Sequence, residues 1–320
     1  MIDLSICIPT LNASTYLRNC LKSICEQDAY LYWVDAIPAN QITPSSPSTG
    51  DSRLNFELIL IDNASTDDTL TMLQADYPTA HLTMNDKNEG FTRPINQALR
   101  QSRGRYMLVL NPDTIVLPGA FNELISYMDV HTDVGICGPK VLNRDGSLQK
   151  ACRRGVSRPW AAFSYFSGLS SLFPHSKFFG GYLLNYLDED AIHEVDGVSG
   201  SCMLIRRQVI DQVGMFDERF FAYQEDADYC FQAKKAGWKV VYLPDAQIIH
   251  FGGQGGSRVQ PYRSIFEWHR SYYLYYQKNL AKDYFFLFNW LYYLLMGLKL
   301  ALSLFANALR SEKFAGPRRA

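Results

Sequence analysis

The first 115 residues alternate between apolar runs of strand length and segments with helical spacing, and this alternation constrains the fold most. In the first such segment, apolar side chains recur at helical spacing at Leu17, Leu21 and Ile24. The pattern predicts a Rossmann-like α/β fold, a mostly parallel, doubly wound sheet flanked by helices. The predicted strands are "DLSICIPT", "FELILIDN", "AHLTMND" and "RYMLVLNPD"; the predicted helices are "STYLRNCLKSIC", "STDDTLTMLQ" (N-cap candidates Ser65 and Thr66) and "PINQALRQS".

Every predicted strand ends in polar residues, at positions 9–10, 62–63, 85–86 and 111–113. In a parallel sheet the carboxyl ends of the strands lie on one edge, and ligands bind in the crevice outside that edge. The sequence therefore predicts a ligand site where these polar groups meet.

Composition excludes some classes of function. The chain has 320 residues, a formal net charge of −1 and a pI near 6.6, so we expect no nucleic-acid partner. Seven scattered cysteines without a C-x-x-C pair are typical of reduced thiols in a cytoplasmic protein, and "MIDLSICIPT" does not resemble a cleaved signal peptide. Residues 36–53, rich in Pro, Ser and Thr, are expected to form an exposed loop inserted at the surface.

Seven segments then follow one another in a characteristic order: "SICIPTLN", "ELILIDNASTDDT", "NEGF", "LVLNPDT", "GVSGSCMLIRR", "GMFDERFFAYQEDADYCFQAKKAGWKVVYLP" and "IIHFGG". Together they resemble the successive motifs of family 2 inverting glycosyltransferases with the GT-A fold. The Asn-Pro-Asp form and "QEDADYC" are most similar to bacterial rhamnosyltransferases of surface-polysaccharide assembly. The resemblance runs from about residue 3 to residue 256. It implies a GT-A domain over residues 1–283, with a nucleotide-binding half (1–115) and an acceptor half (116–283).

The resemblance implies that the strand ends hold a nucleoside-diphosphate sugar. Asp62 ends a buried strand, where its carboxylate can accept an N–H from a pyrimidine base; the alternative is a helix-capping role. Because such a carboxylate suits uracil and thymine alike, the expected donor is a dTDP- or UDP-sugar. The other expected nucleotide and donor contacts are Pro9, Thr10, Asn12, Asn88, Gly90, Arg93, Asn111, Asp113 and Gly200.

A divalent metal, Mg²⁺ or Mn²⁺, is the expected cofactor. Asp113 offers a hard oxygen ligand, and Pro112 stiffens the chain beside it. The family pattern is Asp-x-Asp, and Asn111 replaces its first acid, which removes one charge. The family uses a histidine at the position of His250 as a metal or diphosphate ligand, and imidazole suits Mn²⁺ at least as well as Mg²⁺. The alternative for "NPD" is a turn without a ligand.

The acceptor side is expected at the start of a helix near Glu225. Two acids in the first helical turn are favoured in ionised form by the helix dipole, as a base for a sugar hydroxyl requires. By resemblance Asp226 is the catalytic base, and Glu225 lies near the acceptor or supports the loop. Asp228 is the second candidate for the base, and a solvated acidic helix start is the structural alternative.

The C-terminal segment changes character. Residues 284–309 are apolar and aromatic, with Lys299 inside the stretch and basic residues on both sides. We expect residues 284–320 to be a membrane-associating helical tail, with one or two helices in the interface at the cytoplasmic face of the plasma membrane. A membrane-spanning helix is the close alternative and a buried homodimer interface the third.

Three functions compete at this stage. The first is a metal-dependent inverting transferase, a rhamnosyltransferase as first candidate, that acts on a lipid-linked saccharide. The second is a processive polysaccharide synthase, but "QPYRS" lacks the Trp of the Q-x-x-R-W signature. The third is a nucleotide-sugar-binding scaffold without catalysis. Asn111 in place of the first acid of the family motif is the only feature that favours it. The sequence does not separate rhamnose from galactose or N-acetylglucosamine.

Overall fold

The computed structural model describes residues 2–25, 31–33, 54–253 and 261–309, so the predicted 36–53 loop lies outside the described residues. The strands are β1 (Leu4–Thr10), β2 (Leu31–Trp33), β3 (Leu54–Asp62), β4 (His81–Met84), β5 (Tyr106–Leu110), β6 (Thr114–Val116), β7 (Val134–Leu142), β8 (Arg153–Arg154), β9 (His193–Glu194), β10 (Gly197–Val198), β11 (Cys202–Arg206) and β12 (Lys239–His250). The helices are α1 (Ser14–Cys25), α2 (Thr69–Asp76), α3 (Thr92–Gln101), α4 (Ala120–Val130), α5 (Pro159–Phe166), α6 (Leu169–Leu172), α7 (Arg207–Val213), α8 (Glu225–Lys235), α9 (Pro261–Asn279) and α10 (Phe286–Ala308), with 3₁₀ turns at Lys150–Cys152 and Ala281–Asp283.

The main sheet has the order β2-β3-β1-β5-β11-β7-β12-β6, with β4 beside β3 and β9 beside β12; β8 and β10 pair separately. Strands β6, β9 and β11 run against the others, so the predicted mostly parallel sheet is confirmed. In register, Thr10 of β1 lies beside Asp62 of β3, and Asp62 lies beside Met84 of β4. The polar strand ends therefore share one edge of the sheet, as the sequence predicted.

The apolar run 106–110 forms β5, which is buried along its full length because β1 and β11 pair with its two sides. After a short turn the chain re-enters the sheet as β6, which pairs antiparallel with the end of β12. This pairing sets Thr114 beside His250. The turn after β5 and the end of β12 are thereby brought together at the functional edge.

The predicted start of α2 was wrong. The helix begins at Thr69 with Asp68 as N-cap, not at Ser65 or Thr66. The reason is a competing set of hydrogen bonds: the Ser65 hydroxyl accepts the N–H of Asn12 (2.9 Å), and the N–H of Thr66 donates to Oδ1 of Asn12 (2.7 Å). Residues 63–66 therefore remain a loop that is tied to the end of β1.

The two C-terminal helices pack on each other, and α9 also packs on α8. Within α8, the Asp228 carboxylate accepts Nζ of Lys278 (2.7 Å) and Nδ2 of Asn279 (2.8 Å), both at the end of α9. Lys278 also contacts Asp217 at 2.9 Å. Helix α10 then returns along α9, and an Asn289 side chain on α10 accepts the hydroxyl of Tyr276. The helix that begins with Glu225 is thus tied directly to α9, and through α9 to α10.

Candidate active site

Two buried oxygen atoms lie at the adjacent ends of β1 and β3 without a protein partner. The Asp62 side chain is fully buried; its Oδ2 accepts the N–H of Ser65 at 2.9 Å. Its Oδ1, like Oγ1 of Thr10, has no hydrogen-bond partner among the residues that the structure describes. A buried acceptor without a donor costs about 1–3 kcal/mol. The strand ends therefore fit a ligand that supplies an N–H, while Asn12 holds the neighbouring loop.

The loop between β4 and α3 is organised by amide side chains. Nδ2 of Asn63 donates to Oδ1 of Asn88 (3.0 Å) and to the carbonyl of Gly90 (2.7 Å). Gly90 has φ +88°, and a Cβ there would lie 2.3 Å from the carbonyl oxygen of Phe221. The close approach that requires this glycine is to Phe221, and its expected contact with the nucleotide or donor stays a prediction.

Arg93 lies beside this loop in a cleft of about 550 Å³, which Asn88 and Phe221 also line. Its guanidinium contacts Glu89 (2.8 Å) and Glu218 (3.3 Å). Two carboxylates thus share its charge in this structure, and a role in phosphate binding stays a prediction.

The turn after β5 brings together three of the predicted residues. Nε2 of His250 lies 3.2 Å from Oδ1 of Asp113 and 3.1 Å from Nδ2 of Asn111. The Asp113 side chain is only 7% exposed, and Oδ1 of Asn111 is buried without a hydrogen-bond partner among the described residues. Carboxylate and imidazole converge here, although residues within the described ranges form no cluster of three or more His, Cys, Asp or Glu side chains that could hold a metal ion.

Gln149 fixes the orientation of this histidine, and the sequence analysis missed it. Its Oε1 lies 2.8 Å from Nδ1 of His250, and its Nε2 donates to the His250 carbonyl (3.1 Å) and to Asn143 (3.2 Å). Because the Gln149 amide nitrogen is engaged elsewhere, Oε1 must accept Nδ1–H. That assignment leaves Nε2 of His250 as an acceptor, to which Nδ2 of Asn111 can donate at 3.1 Å, with Oδ1 of Asp113 3.2 Å away. A partner that fixes Nδ1–H in this way is typical of metal-binding histidines.

A continuous path leads from this turn to the acidic start of α8. The N–H of Asn111 donates to the carbonyl of Ser201 (3.0 Å). The preceding residue, Gly200, donates its N–H to Oδ2 of Asp226 (2.9 Å). A Cβ at Gly200 would lie 3.4 Å from the Asp226 Cβ, so this glycine allows close packing against the carboxylate.

Glu225 and Asp226 lie in the first turn of α8, as predicted, and both side chains are buried, which was not predicted. Asp226 contacts Nη2 of Arg154 at 2.5 Å, and its Oδ1 accepts the N–H of Ala227 at 2.7 Å. Oε2 of Glu225 has no hydrogen-bond partner among the described residues. Burial first, and then the neighbouring Asp226 charge, raise the pKa of Glu225 well above its ordinary value.

The residues just before α8 are strained. Tyr223 (φ +68°) and Gln224 (φ +62°) adopt the left-handed conformation in succession, which is uncommon for residues other than glycine. They turn the chain so that the two acids enter the helix facing inward. Asp228, the second candidate for the base, is held by Lys278 and Asn279, and its contacts make it an anchor for α9.

Arg154 is the second functional neighbour that sequence reasoning missed. It lies 72 positions before Asp226 (226 − 154), in a two-residue strand that no periodic pattern marks. The only available signal was a pair of adjacent arginines in "ACRRGVS", which says nothing about where either side chain points.

Comparison with solved structures assigns the fold to the GT-A glycosyltransferases. Residues 1–349 of Staphylococcus aureus TarS, solved with UDP-GlcNAc, match with a TM-score of 0.53 at 17% identity, over 86% of this chain and 65% of that one. The mannosyltransferase PcManGT from Pyrobaculum calidifontis, solved with GDP-Man and Mn²⁺, matches with a TM-score of 0.51 at 16% identity, over 84% and 63%. The chain thus matches a little under two thirds of the length of both.

Sequence comparison then gives the family. A sequence model described as "Glycosyl transferase family 2" matches residues 5–214, more than half of the chain. This protein belongs to glycosyltransferase family 2, as its motifs suggested. A curated relative, the N-acetylglucosaminyl-diphospho-decaprenol L-rhamnosyltransferase of Mycobacterium tuberculosis, is 30% identical over 229 residues, or 68% of this chain and 73% of the relative. The family match ends before Glu225, Asp226 and His250.

Proposed function

We propose that this protein is an inverting transferase that moves a sugar, L-rhamnose as first candidate, from a dTDP- or UDP-sugar to a hydroxyl of a lipid-linked saccharide. The observation that carries the proposal is the hydrogen-bonded path from the turn after β5, through Ser201 and Gly200, to the Asp226 carboxylate. Along this path a site for a charged donor adjoins a buried base, as a single displacement requires.

The sugar and the acceptor are inferred from relatives. The mycobacterial relative is named for transfer of L-rhamnose to a diphospho-decaprenol-linked sugar. A second relative, the rhamnosyltransferase WbbL of Escherichia coli K12, is 33% identical over 75 residues, or 23% of this chain and 28% of the relative. Galactose and N-acetylglucosamine remain the alternative sugars, because no described side chain selects among hexoses.

On the donor side, we assign the base of the nucleotide to the pocket of Asp62 and Thr10. The unpartnered Oδ1 of Asp62 is placed to accept the imide N–H of uracil or thymine, and the Thr10 hydroxyl can donate to a ring carbonyl. Pro9, Asn12, Asn88, Gly90, Arg93, Asn111 and Gly200 are the other proposed nucleotide or donor contacts.

The residues around Asp113 fit a divalent cation. Asp113 offers a carboxylate, Nε2 of His250 offers a lone pair fixed by Gln149, and the buried Oδ1 of Asn111 lacks a donor within the described part of the chain. Such cations commonly take few protein ligands and complete their shell with phosphate and water. Asp113 and His250 would hold the ion, and when bound it supplies positive charge that stabilises the departing diphosphate.

On the acceptor side, Asp226 is the proposed base. Its carboxylate accepts the proton of the acceptor hydroxyl as that oxygen bonds to the anomeric carbon, and the bond to the diphosphate breaks with its electron pair leaving on phosphate. Gly200 and Ala227 hold the carboxylate in place through their N–H groups. Because burial favours the protonated form of Glu225, this carboxylic acid can donate a hydrogen bond to the acceptor sugar.

We propose that α10 lies in the membrane interface and does not cross the bilayer. It is the one helix in the described residues that is long and apolar enough to span, with an outer face where Trp290 is 71%, Leu294 69% and Phe305 64% exposed. Its inner face packs lengthwise on α9: Asn289 contacts Tyr276 near one end, and Lys299 lies 3.1 Å from His269 further along.

The character of α9 favours the interface. Arg263, Glu267 and Arg270 on α9 would enter the hydrocarbon if the helix pair inserted across the bilayer, at a cost of about 2.5–3.5 kcal/mol for a central arginine. Exposed aromatic rings on α5, at Trp160 and Phe163, offer further contacts for the headgroup region. An interfacial helix would hold the active site close to a lipid-linked acceptor.

Membrane contact is tested by flotation of the full chain with vesicles of phosphatidylethanolamine and phosphatidylglycerol. The double variant Leu294→Ser/Leu298→Ser should stay in the soluble fraction, whereas Val130→Ser, at a 76% exposed position on α4, should float like the parent. Equal flotation of all three proteins would contradict the assignment of α10.

The activity is tested by offering the purified protein dTDP-, UDP- and GDP-sugars with a lipid-linked saccharide, with Mn²⁺, Mg²⁺ or EDTA. Metal-dependent transfer from one donor would establish the transferase and name its sugar. Tight nucleotide binding without turnover, in the presence of lipid-linked acceptors, would favour the non-catalytic scaffold.

A further inference from the structure

Arg154 places a buried positive charge beside the proposed base. Its side chain is 10% exposed, and Nη2 lies 2.5 Å from Oδ2 of Asp226 and 3.2 Å from the carbonyl of Val198. The same carboxylate oxygen accepts the N–H of Gly200 at 2.9 Å. One oxygen of Asp226 is therefore fully occupied by protein donors. The other, Oδ1, accepts the N–H of Ala227 and retains a lone pair for a ligand.

The groups around this pair determine its charge. On α8, Asp228 is paired with Lys278, Lys234 is paired with Asp196, and burial raises the pKa of Cys230 to about 12. From α9 and the segment before β9, the hydroxyls of Tyr272 and Tyr182 face Arg154 and lie 2.5 Å from each other.

Burial holds the pKa of Tyr272, and of the nearby Tyr275 on α9, well above the ordinary value, so both phenols are neutral. Among the described residues, the two adjacent buried carboxylates of Glu225 and Asp226 therefore share a single positive charge, that of Arg154. Two such groups cannot both ionise freely in a region of low polarity.

We infer that Arg154 is a positioning residue that fixes the negative charge of this acidic pair on Asp226 and leaves the proton on Glu225. Arg154 contacts Asp226 directly, while Oε2 of Glu225 has no partner among the described residues. The guanidinium also aims the carboxylate, because it and the Gly200 N–H hold Oδ2 and so direct Oδ1 toward the acceptor hydroxyl. The inference rests on the proposed function and adds the reason why Asp226, and not Glu225, takes the proton.

Adjacent arginines provide a matched control. Arg153 is also buried, but it donates to the carbonyls of Asp188 (2.6 Å) and Leu187 (2.8 Å) and stacks on Tyr242. The variants Arg154→Gln, Arg154→Lys and Arg153→Gln are compared with the parent by kcat/KM from pH 5.5 to 9, with nucleotide affinity and Tm as checks on folding.

For Arg154→Gln we expect a loss of about 100-fold at pH 7 and an acid limb displaced upward by roughly one pH unit, so that the loss at the acid end of the range exceeds the loss at pH 9 by up to about tenfold. Arg154→Lys should restore the pH at which kcat/KM falls on the acid side, with a lower maximal kcat/KM than the parent. Arg153→Gln should show the same acid-side fall as the parent. An Arg154→Gln profile parallel to that of the parent would overturn the inference.

A second measurement does not depend on how Arg154 variants fold. In the parent, labelled with ¹³C at Asp and Glu carboxyls, the resonance that is missing from Glu225→Gln should be protonated at pH 7, and the one missing from Asp226→Asn should be ionised. The reverse assignment would refute the inference and leave the transferase proposal intact. Full activity of Asp226→Asn would instead refute the proposed base.

Discussion

The donor edge and the acceptor edge of this site are built in different ways. On the donor edge, Asp62 and Thr10 lie at adjacent strand ends. Each has a buried oxygen without a hydrogen-bond partner among the described residues, so a ligand can supply one. On the acceptor edge, the Asp226 carboxylate already accepts hydrogen bonds from Arg154, Gly200 and Ala227 and keeps one lone pair on Oδ1. The donor edge therefore gains hydrogen bonds when a ligand binds. At the acceptor edge, the Asp226 carboxylate is held in place by protein hydrogen bonds before any ligand binds. Under the proposed function, nucleotide recognition belongs to the strand ends, and proton removal belongs to the first turn of α8.

The largest effect is expected at the acceptor edge. Asp226→Asn keeps the shape of the side chain but removes the base, so kcat for transfer should fall by about 10²–10⁴-fold while nucleotide affinity is preserved. Asp228→Asn is the matched control: it weakens the contacts to Lys278 and Asn279 and should lower Tm without a comparable fall in kcat. A similar loss of kcat in both variants would contradict the assignment of Asp226 as the base and of Asp228 as a structural contact to α9.

The next effect concerns the support of the metal site. Gln149→Leu removes the acceptor for Nδ1 of His250 and should weaken Mn²⁺ affinity by about 10–100-fold, as loss of such a partner typically does. Calorimetric titration of Mn²⁺ in the presence of UDP measures the affinity. Asn143→Leu serves as the control with a smaller expected loss, because Asn143 accepts the Gln149 amide N–H and makes no contact with the His250 ring. Unchanged Mn²⁺ affinity in Gln149→Leu would mean that His250 is not a ligand.

A smaller effect is expected at the donor edge. Asp62→Ser removes the acceptor for the nucleobase and should weaken UDP or dTDP binding by about 1–3 kcal/mol, measured by calorimetry. The discrimination against GDP, which lacks the same imide edge, should narrow as well. If the variant loses affinity for all three nucleotides equally, Asp62 serves the fold of the loop at Ser65 and not the base.

The last effect, small for each step in pH, is a dependence of stability on pH. Because burial raises the pKa of Glu225, the folded protein keeps a proton that the unfolded chain releases, so unfolding becomes easier as pH rises above the ordinary glutamate value. Glu225→Gln removes this contribution. Its Tm advantage over the parent should grow from pH 5 to pH 8, with about 1.4 kcal/mol per pH unit as the upper limit. If the Tm difference between Glu225→Gln and the parent instead decreased as pH rises, Glu225 would be ionised in the folded protein.

Much of the fold was predictable, because strand and helix periodicities and polar strand ends are local properties of the sequence. Leu17, Leu21 and Ile24 are fully buried, and residues 106–110 form the central strand, as predicted. The start of α2 was not predictable from local capping rules, because Asn12, more than 50 positions away, recruits the polar groups of that loop.

The site was predictable where it follows strand ends and unpredictable where it depends on distant partners. Asp113 and His250 were expected together by family resemblance, and the structure brings them within 3.2 Å. Gln149 and Arg154 lie in segments without periodicity, and their side chains are directed by tertiary packing that no local pattern encodes. One missed residue therefore supports the proposed metal site, and the other supports the proposed base.

The most direct test of the central claim is the anomeric configuration of the transferred sugar, read by ¹H and ¹³C NMR of the product. A single displacement assisted by Asp226 predicts a linkage of configuration opposite to that of the donor, formed by the parent and lost in Asp226→Asn. A product that retains the configuration of the donor would contradict the account, because retention requires chemistry that a single base beside the acceptor does not provide.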